Sequence, residues 1–320
     1  MERLSVVELE READAFRAAA RTTPGIDHFC SATDWMCAAY DAWESDLEPW
    51  IWRGEAGYAA FLREEVQQRV ALTPFDRMWG YSCPLVGADA LQLAGEFADT
   101  LATHPEQWEL LVVTGLQEGS PLWTALLIEL HRNHTMGLGQ PQQRWQASLT
   151  GGFDGFLSRR TSKLRREWAR MERRASERGV TFETGAGDAS ALFTRVLAVE
   201  DKSWKADAQT GLHIEEMHDF YAALLPRLHA RGGLRLLFAR LDGEDIGYIL
   251  GGVNGDEYRG LQFSFDNRLR ELGIGNLLQL AEIRRLCDEN FSLYDLGIDI
   301  DYKERWAHER VETATLVVRK

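Results

Sequence analysis

The sequence predicts an α/β (α+β) protein of two similar halves, each a mixed, mostly antiparallel sheet flanked by helices. Short apolar runs between charged or glycine-containing breaks indicate strands within residues 47–86, and three strands follow one another within residues 234–265. Asp242-Gly243 and Asn254-Gly255 are tight-turn sequences that join these later strands. A hydrophobic content of 45% over 320 residues is sufficient for a large buried core.

The first half, residues 1–150, begins with an amphipathic segment and continues as a strand meander. Its predicted strands cover the apolar runs 49–52, 58–62, 70–72 and 78–83. A helix at 88–102, a strand at 108–114 and a helix at 121–132 are predicted next.

The second half, residues 151–320, repeats this succession of strands and helices with clearer boundaries. The predicted helices cover 188–204, 214–231 and 276–288. The predicted strands cover 234–241, 246–253, 258–265, 293–297 and 311–318. A duplicated α/β unit is the simplest interpretation of both halves.

A basic segment, residues 156–178, links the halves and is predicted to form one helix. Leu164, Trp168, Met171 and Ala175 form an apolar stripe at helical spacing. Nine cations and three glutamates give the segment a local charge of +6 within a chain of net charge -14. Two interpretations remain open: a solvated helix face, or a surface where Lys163, Arg166 and their neighbours hold a phosphorylated ligand.

Charge and composition exclude several classes of protein. A net charge of -14 argues against sequence-independent binding to DNA or to anionic membranes. The four cysteines lack CxxC spacing and are predicted to be reduced thiols, and the eight histidines show no metal-ligand spacing, so no metal site is predicted. Charged residues interrupt the apolar pattern of residues 1–20, which predicts no signal peptide, no membrane span and a cytoplasmic protein.

The clearest local signal is a glycine-containing loop between a predicted strand and a predicted helix. In this arrangement backbone N–H groups and a helix N-terminus can bind a pyrophosphate, and glycine allows the ligand to approach closely. A dinucleotide-binding fingerprint would require a third glycine at 278, where the chain has Leu278, although Asp295 has suitable spacing. The candidate cofactor-binding residues are Arg270, Leu272, Gly273, Ile274, Gly275 and Asn276.

A strand meander followed by an Arg-x-x-Gly-x-Gly loop, a helix and one more strand resembles the GNAT acyltransferase fold, in which this loop binds the pyrophosphate of coenzyme A. The resemblance extends to the CelD/BcsL-like branch, which is related to the Fem-type aminoacyltransferases, themselves double GNAT proteins. It implies tandem GNAT-like domains. The first, without a glycine loop, is a degenerate copy on the acceptor side, and the second is the acyltransferase domain. The motifs that carry the resemblance are Leu157-Ser158, Ser162-Lys163, Arg165-Arg166, Ser203-Trp204-Lys205, Tyr294-Asp295-Leu296-Gly297 and Tyr302-Lys303-Glu-Arg-Trp306.

The resemblance implies an N-acyltransferase that moves an acyl group from acyl-CoA to a primary amine by direct attack, with acyl-CoA as co-substrate. An amine is protonated at neutral pH, so the site must also supply a proton acceptor. The catalytic candidates are Asp299, which is favoured as base, and Asp295, which is expected to order the loop, with Glu200 and His213 as alternatives. Lys303 resembles the lysine of the Fem Phe-Lys-x-x-Phe motif and is expected to stabilise the oxyanion or to hold the acceptor. Trp204 and Tyr302 are assigned to substrate binding.

Three questions about function stay open at this point. An acyl carrier protein fits the basic helix as well as coenzyme A does, because such carriers are acidic and phosphorylated. An aminoacyl-tRNA donor would make the protein a Fem-like transferase. A non-catalytic GNAT-like binding protein is the alternative outside the enzymes. The expected acceptor is a small-molecule or peptide amine presented between the two halves.

Overall fold

The computed structural model describes residues 1–320, which divide into two compact units. The first unit comprises Met1–Gln143 and Glu312–Lys320, and the second comprises Arg144–Val311. Each unit has a mixed, mostly antiparallel sheet with flanking helices, so the predicted fold class is confirmed. The last residues, Glu312–Lys320, belong to the first unit. The predicted division at residue 150 assigned them to the second half.

In the first unit, strands pair in the order β1-β2-β3-β4-β6-β14, and only β4 and β6 run parallel. Strand β5 pairs with β3, and β7 pairs with β14. The elements are β1 (Glu2–Leu4), α1 (Val6–Arg11), α2 (Ala13–Thr22), α3 (Thr33–Ala39), β2 (Glu48–Arg53), β3 (Tyr58–Val66), β4 (Arg69–Pro74), β5 (Leu85–Val86), α4 (Ala90–Thr103), β6 (Leu110–Leu116), α5 (Pro121–Leu130), β7 (Thr135–Leu138) and, at the end of the chain, β14 (Glu309–Arg319).

Aromatic side chains fill the core of the first unit. Trp50 and Phe61 extend from neighbouring strands, and the ring of Phe97 on α4 stacks on that of Phe61 with centroids 5.5 Å apart. All three side chains are fully buried. Such rings bury large apolar areas, which explains why tryptophan is frequent in this half of the sequence.

The predicted strand at 78–83 is wrong, since these residues form a loop. Buried Asp76 accepts hydrogen bonds from the N–H groups of Trp79 and Tyr81 at 3.0 and 3.2 Å. The carboxylate therefore satisfies backbone donors that a strand would pair with a neighbour. The apolar pattern correctly indicates burial of residues 81–83, whereas Met78 is 51% exposed.

In the second unit, strands pair in the order β8-β13-β12-β11-β10-β9, and only β12 and β13 run parallel. The helices predicted at 188–204, 214–231 and 276–288 and the strands predicted at 234–241, 246–253, 258–265 and 293–297 are present, although the first of these helices ends at Glu200. The strand predicted at 311–318 is β14 of the first unit, and β8, β9 and α9 are additional. The elements are β8 (Gln142–Ser148), α6 (Gly152–Ser158), α7 (Ser162–Glu177), β9 (Thr181–Thr184), α8 (Ala189–Glu200), α9 (Trp204–Ala208), α10 (Glu215–Ala230), β10 (Leu234–Leu241), β11 (Glu244–Asn254), β12 (Glu257–Phe265), α11 (Ile274–Asp288) and β13 (Leu293–Ile298).

The basic segment 156–178 is two helices rather than the single helix predicted. Helix α6 ends at Ser158, and α7 begins after Thr161, whose hydroxyl accepts a hydrogen bond from the N–H of Leu164. Between them, Arg159 donates to the carbonyl oxygens of Ser148 and Thr150, at 2.7 Å and 3.1 Å. Arg160 is buried and donates to the carbonyl oxygen of Trp306, so both cations of this break have structural partners outside the basic segment.

The apolar stripe of α7 packs on the core of the second unit. Trp168 stacks on Trp306 with ring centroids 4.4 Å apart, and on its other side it lies against Phe156 at 6.2 Å. The three rings are nearly or fully buried. This packing fixes the position of α7 and leaves its cationic face outward.

Candidate active site

A wedge opens in the sheet of the second unit between the parallel strands β12 and β13. Their pairing begins at Glu257 and Leu293 and ends at Arg259 and Asp295, although both strands continue further. Register shifts lie beside this point, at Leu250/Gly251 between β11 and β12 and at Asp295/Gly297 between β13 and β8. Irregularities of this kind redirect a strand and commonly adjoin active sites. The strands therefore separate where the pairing ends.

A cavity of about 30 Å³ lies in this wedge. Its walls come from β11, β12, β13, α11 and the turn after β13, and its titratable side chains are two tyrosines and a lysine. No carboxylate lines it. The lining includes Gly260, Gln262, Phe263, Gln279, Tyr294, Leu296, Tyr302 and Lys303.

Lys303 is the charged group of the cavity. It lies in a 3-10 turn, Asp301–Arg305, and its Nζ donates a hydrogen bond of 2.9 Å to the carbonyl oxygen of Ile298. Burial lowers the pKa of this lysine to about 8, although the carboxylate of Asp295 acts in the opposite direction. The side chain is thus a cation at neutral pH that is held in a largely water-excluded place.

Tyr302 lines the same cavity but remains 39% exposed. Its ring meets that of Phe263 edge-on, with centroids 5.9 Å apart. Burial raises its pKa to about 12, so the phenol keeps its proton across the physiological range. The side chain can therefore donate a hydrogen bond or a proton, but it is not a base.

Asp295, one of the predicted catalytic residues, is the centre of a buried polar cluster. Its Oδ2 accepts hydrogen bonds from Arg144 and Gln146, both at 2.9 Å, and from Arg259 at 3.2 Å. Its Oδ1 accepts the N–H of Gly297 at 2.7 Å. The carboxylate fixes the strand at the point where β12 and β13 part.

The other residues predicted for acid–base chemistry lie outside the cavity lining. Asp299 forms an ion pair of 3.1 Å with Arg310. Glu200 is fully buried and accepts hydrogen bonds from side chains around it, while His213 lies in a 3-10 turn after α9. Trp204, predicted to bind substrate, opens α9 and is 50% exposed.

The glycine loop has the conformation expected of an anion-binding site. A 3-10 turn, Asn267–Leu272, is followed by Gly273 at φ +71°, which is the N-cap residue of α11. The first N–H groups of a helix have no acceptor within that helix, and no side chain caps them here. In the same unit, α7 and α8 are capped by Thr161 and Asp188, whereas α6 and α10 also lack a side-chain cap.

The loop and the cavity are joined through β12. A Cβ placed on Gly275 would lie 3.0 Å from the ring of Phe263, and Phe263 lines the cavity. Of the predicted cofactor-binding residues, Ile274 is buried, Asn276 donates to the sulfur of Met171 at 3.9 Å, and Arg270 is exposed.

The cations of α7 adjoin the same loop. Met171 of α7 packs directly against Gly273 of the loop: a Cβ placed on this glycine would lie 2.7 Å from the Met171 Sδ. Arg170 and Arg174, which precede and follow Met171 on the helix, are exposed. The predicted ligand-binding residues Lys163 and Arg166 are exposed on the first turns of α7.

Sequence reasoning missed a buried network around Lys205 that reaches two residues of β12 at the cavity wall. Lys205 Nζ donates to Glu200, Gln262 and the carbonyl oxygen of Phe263, at 3.1, 2.9 and 3.0 Å. Tyr248 also donates to Glu200. Burial lowers the pKa of Lys205. The Ser203-Trp204-Lys205 motif does not reveal which strand the lysine contacts. Its hydrogen bonds to Gln262 and Phe263 show that this strand is β12.

We expect alanine at Gly273 to be more damaging than alanine at Gly179, a matched position. Both glycines have positive φ, +71° and +82°, so each substitution should cost about 1–2 kcal/mol of stability. Only Gly273 is crowded, since nothing lies within 4 Å of the site of a Cβ on Gly179. Urea unfolding of both variants measures the difference, and equal losses would contradict the close contact with Met171.

Residues 158–304 match the acetyltransferase (GNAT) domain family. No curated protein matches the sequence. The chain is similar to the structure of FemX with 15% identity and a TM-score of 0.66, over 98% of this chain and 97% of that one.

Two further structures share the fold at low sequence identity. A conserved protein of unknown function from Bacteroides thetaiotaomicron has 11% identity and a TM-score of 0.66, over 99% of this chain and 98% of that one. The C-terminal domain of a putative lysylphosphatidylglycerol synthetase from Agrobacterium fabrum has 13% identity and a TM-score of 0.58, over 99% and 92%. These findings support a GNAT-type transferase fold, as the sequence motifs predict.

Two features are absent from the structure. None of its helices combines the length and the apolar character that crossing a membrane would require. No group of three or more His, Cys, Asp or Glu side chains is arranged to hold a metal ion.

Proposed function

We propose that the second unit is an N-acyltransferase that uses an acyl-CoA thioester and a primary amine. The amine nitrogen attacks the thioester carbonyl, the C–N bond forms and the C–S bond breaks. The products are an amide and the thiol of coenzyme A, and the proton lost by the amine leaves to water. No covalent intermediate with the protein is required.

The observation that carries this proposal is the connection between the wedge cavity and the uncapped start of α11. The first-turn N–H groups of α11 suit a pyrophosphate, and the ring of Phe263 on β12 lies beside Gly275 of this turn while the same residue lines the cavity. A thioester whose phosphates lie at Gly273 would thus direct its acyl end into the wedge. The match of residues 158–304 to the GNAT family supports the same placement.

Lys303 and Tyr302 then take the two roles that direct acyl transfer needs. The ammonium of Lys303 stabilises the negative charge that develops on the carbonyl oxygen, and its burial strengthens this interaction. The phenol of Tyr302 gives its proton to the departing thiolate and regains one from the water that received the amine's proton. Asp295 is a positioning residue, because both of its oxygens are occupied. Asp299 is not assigned as base, since it pairs with Arg310 away from the cavity.

The direct test is calorimetric titration of the full chain with coenzyme A and acetyl-CoA, followed by assay of thiol release with a panel of amines. Binding with amine-dependent thiol release supports the enzyme. Binding without release favours a non-catalytic GNAT-like protein. If coenzyme A does not bind but a charged tRNA or an acyl carrier protein does, the donor proposed here is wrong.

We expect the double variant Lys163→Ala/Arg166→Ala to bind coenzyme A about 5- to 30-fold more weakly, because charge-assisted contacts to a phosphate contribute about 1–2 kcal/mol. The matched control is Arg11→Ala/Arg21→Ala, which removes two exposed cations from α1 and α2 in the first unit. Calorimetry at two salt concentrations compares the variants. Unchanged affinity in the α7 variant would make this helix face merely solvated.

A further inference from the structure

The wedge cavity is small and closed at its inner end. Its volume of about 30 Å³ corresponds to about two water-sized groups. The inner end is the point where the pairing of β12 with β13 ends, and Tyr294, which pairs with Tyr258 just before that point, lines the cavity there.

A hydrogen-bonded pair forms this inner wall. The hydroxyl of Tyr294 donates to Oε1 of Gln279 at 2.7 Å, and the two side chains are 1% and 4% exposed. Gln279 comes from α11 and Tyr294 from β13, so the pair connects a helix to the strand beneath it. An apolar chain entering further would have to separate these groups and leave both without partners, at a cost of about 1–3 kcal/mol.

Packing on the other sides prevents the ring of Tyr294 from moving away. A Cβ on Gly260 would lie 2.8 Å from this ring, so β12 is in close contact with it. The ring of Tyr258 meets it at 4.8 Å with planes at 73°. The wall therefore cannot recede without a change in the core of the unit.

We infer that the Gln279–Tyr294 pair limits the length of the donor's acyl group to about two or three carbons. This inference rests on the proposed function, because it assigns the wedge cavity to the acyl group. An acetyl group fills the available space. Each further methylene meets a polar, hydrogen-bonded wall. A donor whose acyl group carries a methylene that does not fit is selected against by about 10- to 200-fold.

The test is calorimetric titration of the full chain with coenzyme A, acetyl-CoA, butyryl-CoA and octanoyl-CoA. We expect butyryl-CoA and octanoyl-CoA to bind at least about tenfold more weakly than acetyl-CoA. In Gln279→Ala, which shortens the wall, butyryl-CoA should regain about tenfold in affinity relative to acetyl-CoA.

Two controls keep the result interpretable. Gln279→Ala leaves the Tyr294 hydroxyl without its acceptor, so Gln279→Ala/Tyr294→Phe is measured beside it and should show the same gain for butyryl-CoA. Circular dichroism verifies that both variants fold. Equal affinity of the wild-type chain for all three thioesters would overturn the length limit and leave the proposed function intact. Failure of coenzyme A itself to bind would overturn the proposed function and this inference together.

Discussion

Replacement of Lys303 by methionine is expected to lower the rate of acyl transfer by about 100- to 1000-fold, the usual cost of losing one donor to an oxyanion. Methionine keeps a long apolar side chain in the buried position but provides no positive charge. Steady-state rates of amine-dependent thiol release measure the loss. A fall of less than tenfold would show that Lys303 does not stabilise the oxyanion.

Lys303→Arg is the matched control, and its pH profile separates charge from packing. If the ammonium is required, wild-type activity should decline as pH rises through about 8, the pKa to which burial lowers this lysine. An arginine stays charged at this pH, so the alkaline decline should disappear in Lys303→Arg even if the overall rate is lower. A decline near pH 8 in both proteins would assign it to another group.

The positive charge of Lys303, which is expected to favour catalysis, lowers the stability of the folded protein. Its pKa falls from 10.5 in the unfolded chain to about 8 when folded, so charging it in place costs about 3 kcal/mol below pH 8. Between pH 8 and 10.5 the unfolded chain binds more protons, and the wild-type protein gains stability as pH rises. Lys303→Met lacks this gain and should be more stable than wild type at pH 7. Urea unfolding at pH 7 and pH 10 checks the sign.

The fold could be predicted from the sequence because the spacing of apolar residues and the residue types of tight turns are local properties. The turns Asp242-Gly243 and Asn254-Gly255 and the loop at Gly273 fixed the order of strands β10 to β12 and helix α11. The break between α6 and α7 was missed because it depends on Arg159 and Arg160. Both have long-range partners, in Ser148 and Trp306, that no local pattern contains.

The candidate site was predicted in part. Tyr302, Lys303 and the loop at Gly273 were chosen from motifs, and the structure brings the first two to the wedge cavity. Gln279 was not chosen, because a glutamine within an amphipathic helix carries no distinguishing signal. Its partner Tyr294 is fifteen residues away on another element, so only the tertiary structure shows that they meet.

Asp295 illustrates how a motif residue can be recognised from the sequence while the contacts that define its role cannot. An acid in a Tyr-Asp-Leu-Gly motif beside a predicted acyl site suggested a part in catalysis. Its neighbours Arg144 and Gln146 on β8 come from a strand that the sequence did not predict. Because these side chains and the N–H of Gly297 donate to it, the carboxylate of Asp295 holds β13 in place where the wedge opens.

Asp295→Asn is accordingly expected to destabilise the second unit by about 3–5 kcal/mol, because it removes the counter-ion from two buried arginines. Arg144 and Arg259 have side chains only 4% and 5% exposed, so water cannot replace the lost carboxylate readily. The midpoint of urea unfolding, followed by tryptophan fluorescence, measures the loss.

The matched control for this prediction is Asp299→Asn, the same substitution four residues later. Asp299 pairs with Arg310, whose side chain is 47% exposed, and exposed pairs contribute about 0–1 kcal/mol. The two variants should therefore differ by several kcal/mol even though both remove one carboxylate charge from the same segment. Similar losses would mean that the charge of the segment, and not the buried cluster at the origin of the wedge, determines stability. A stable Asp295→Asn protein that had lost only catalysis would restore Asp295 to the reaction itself.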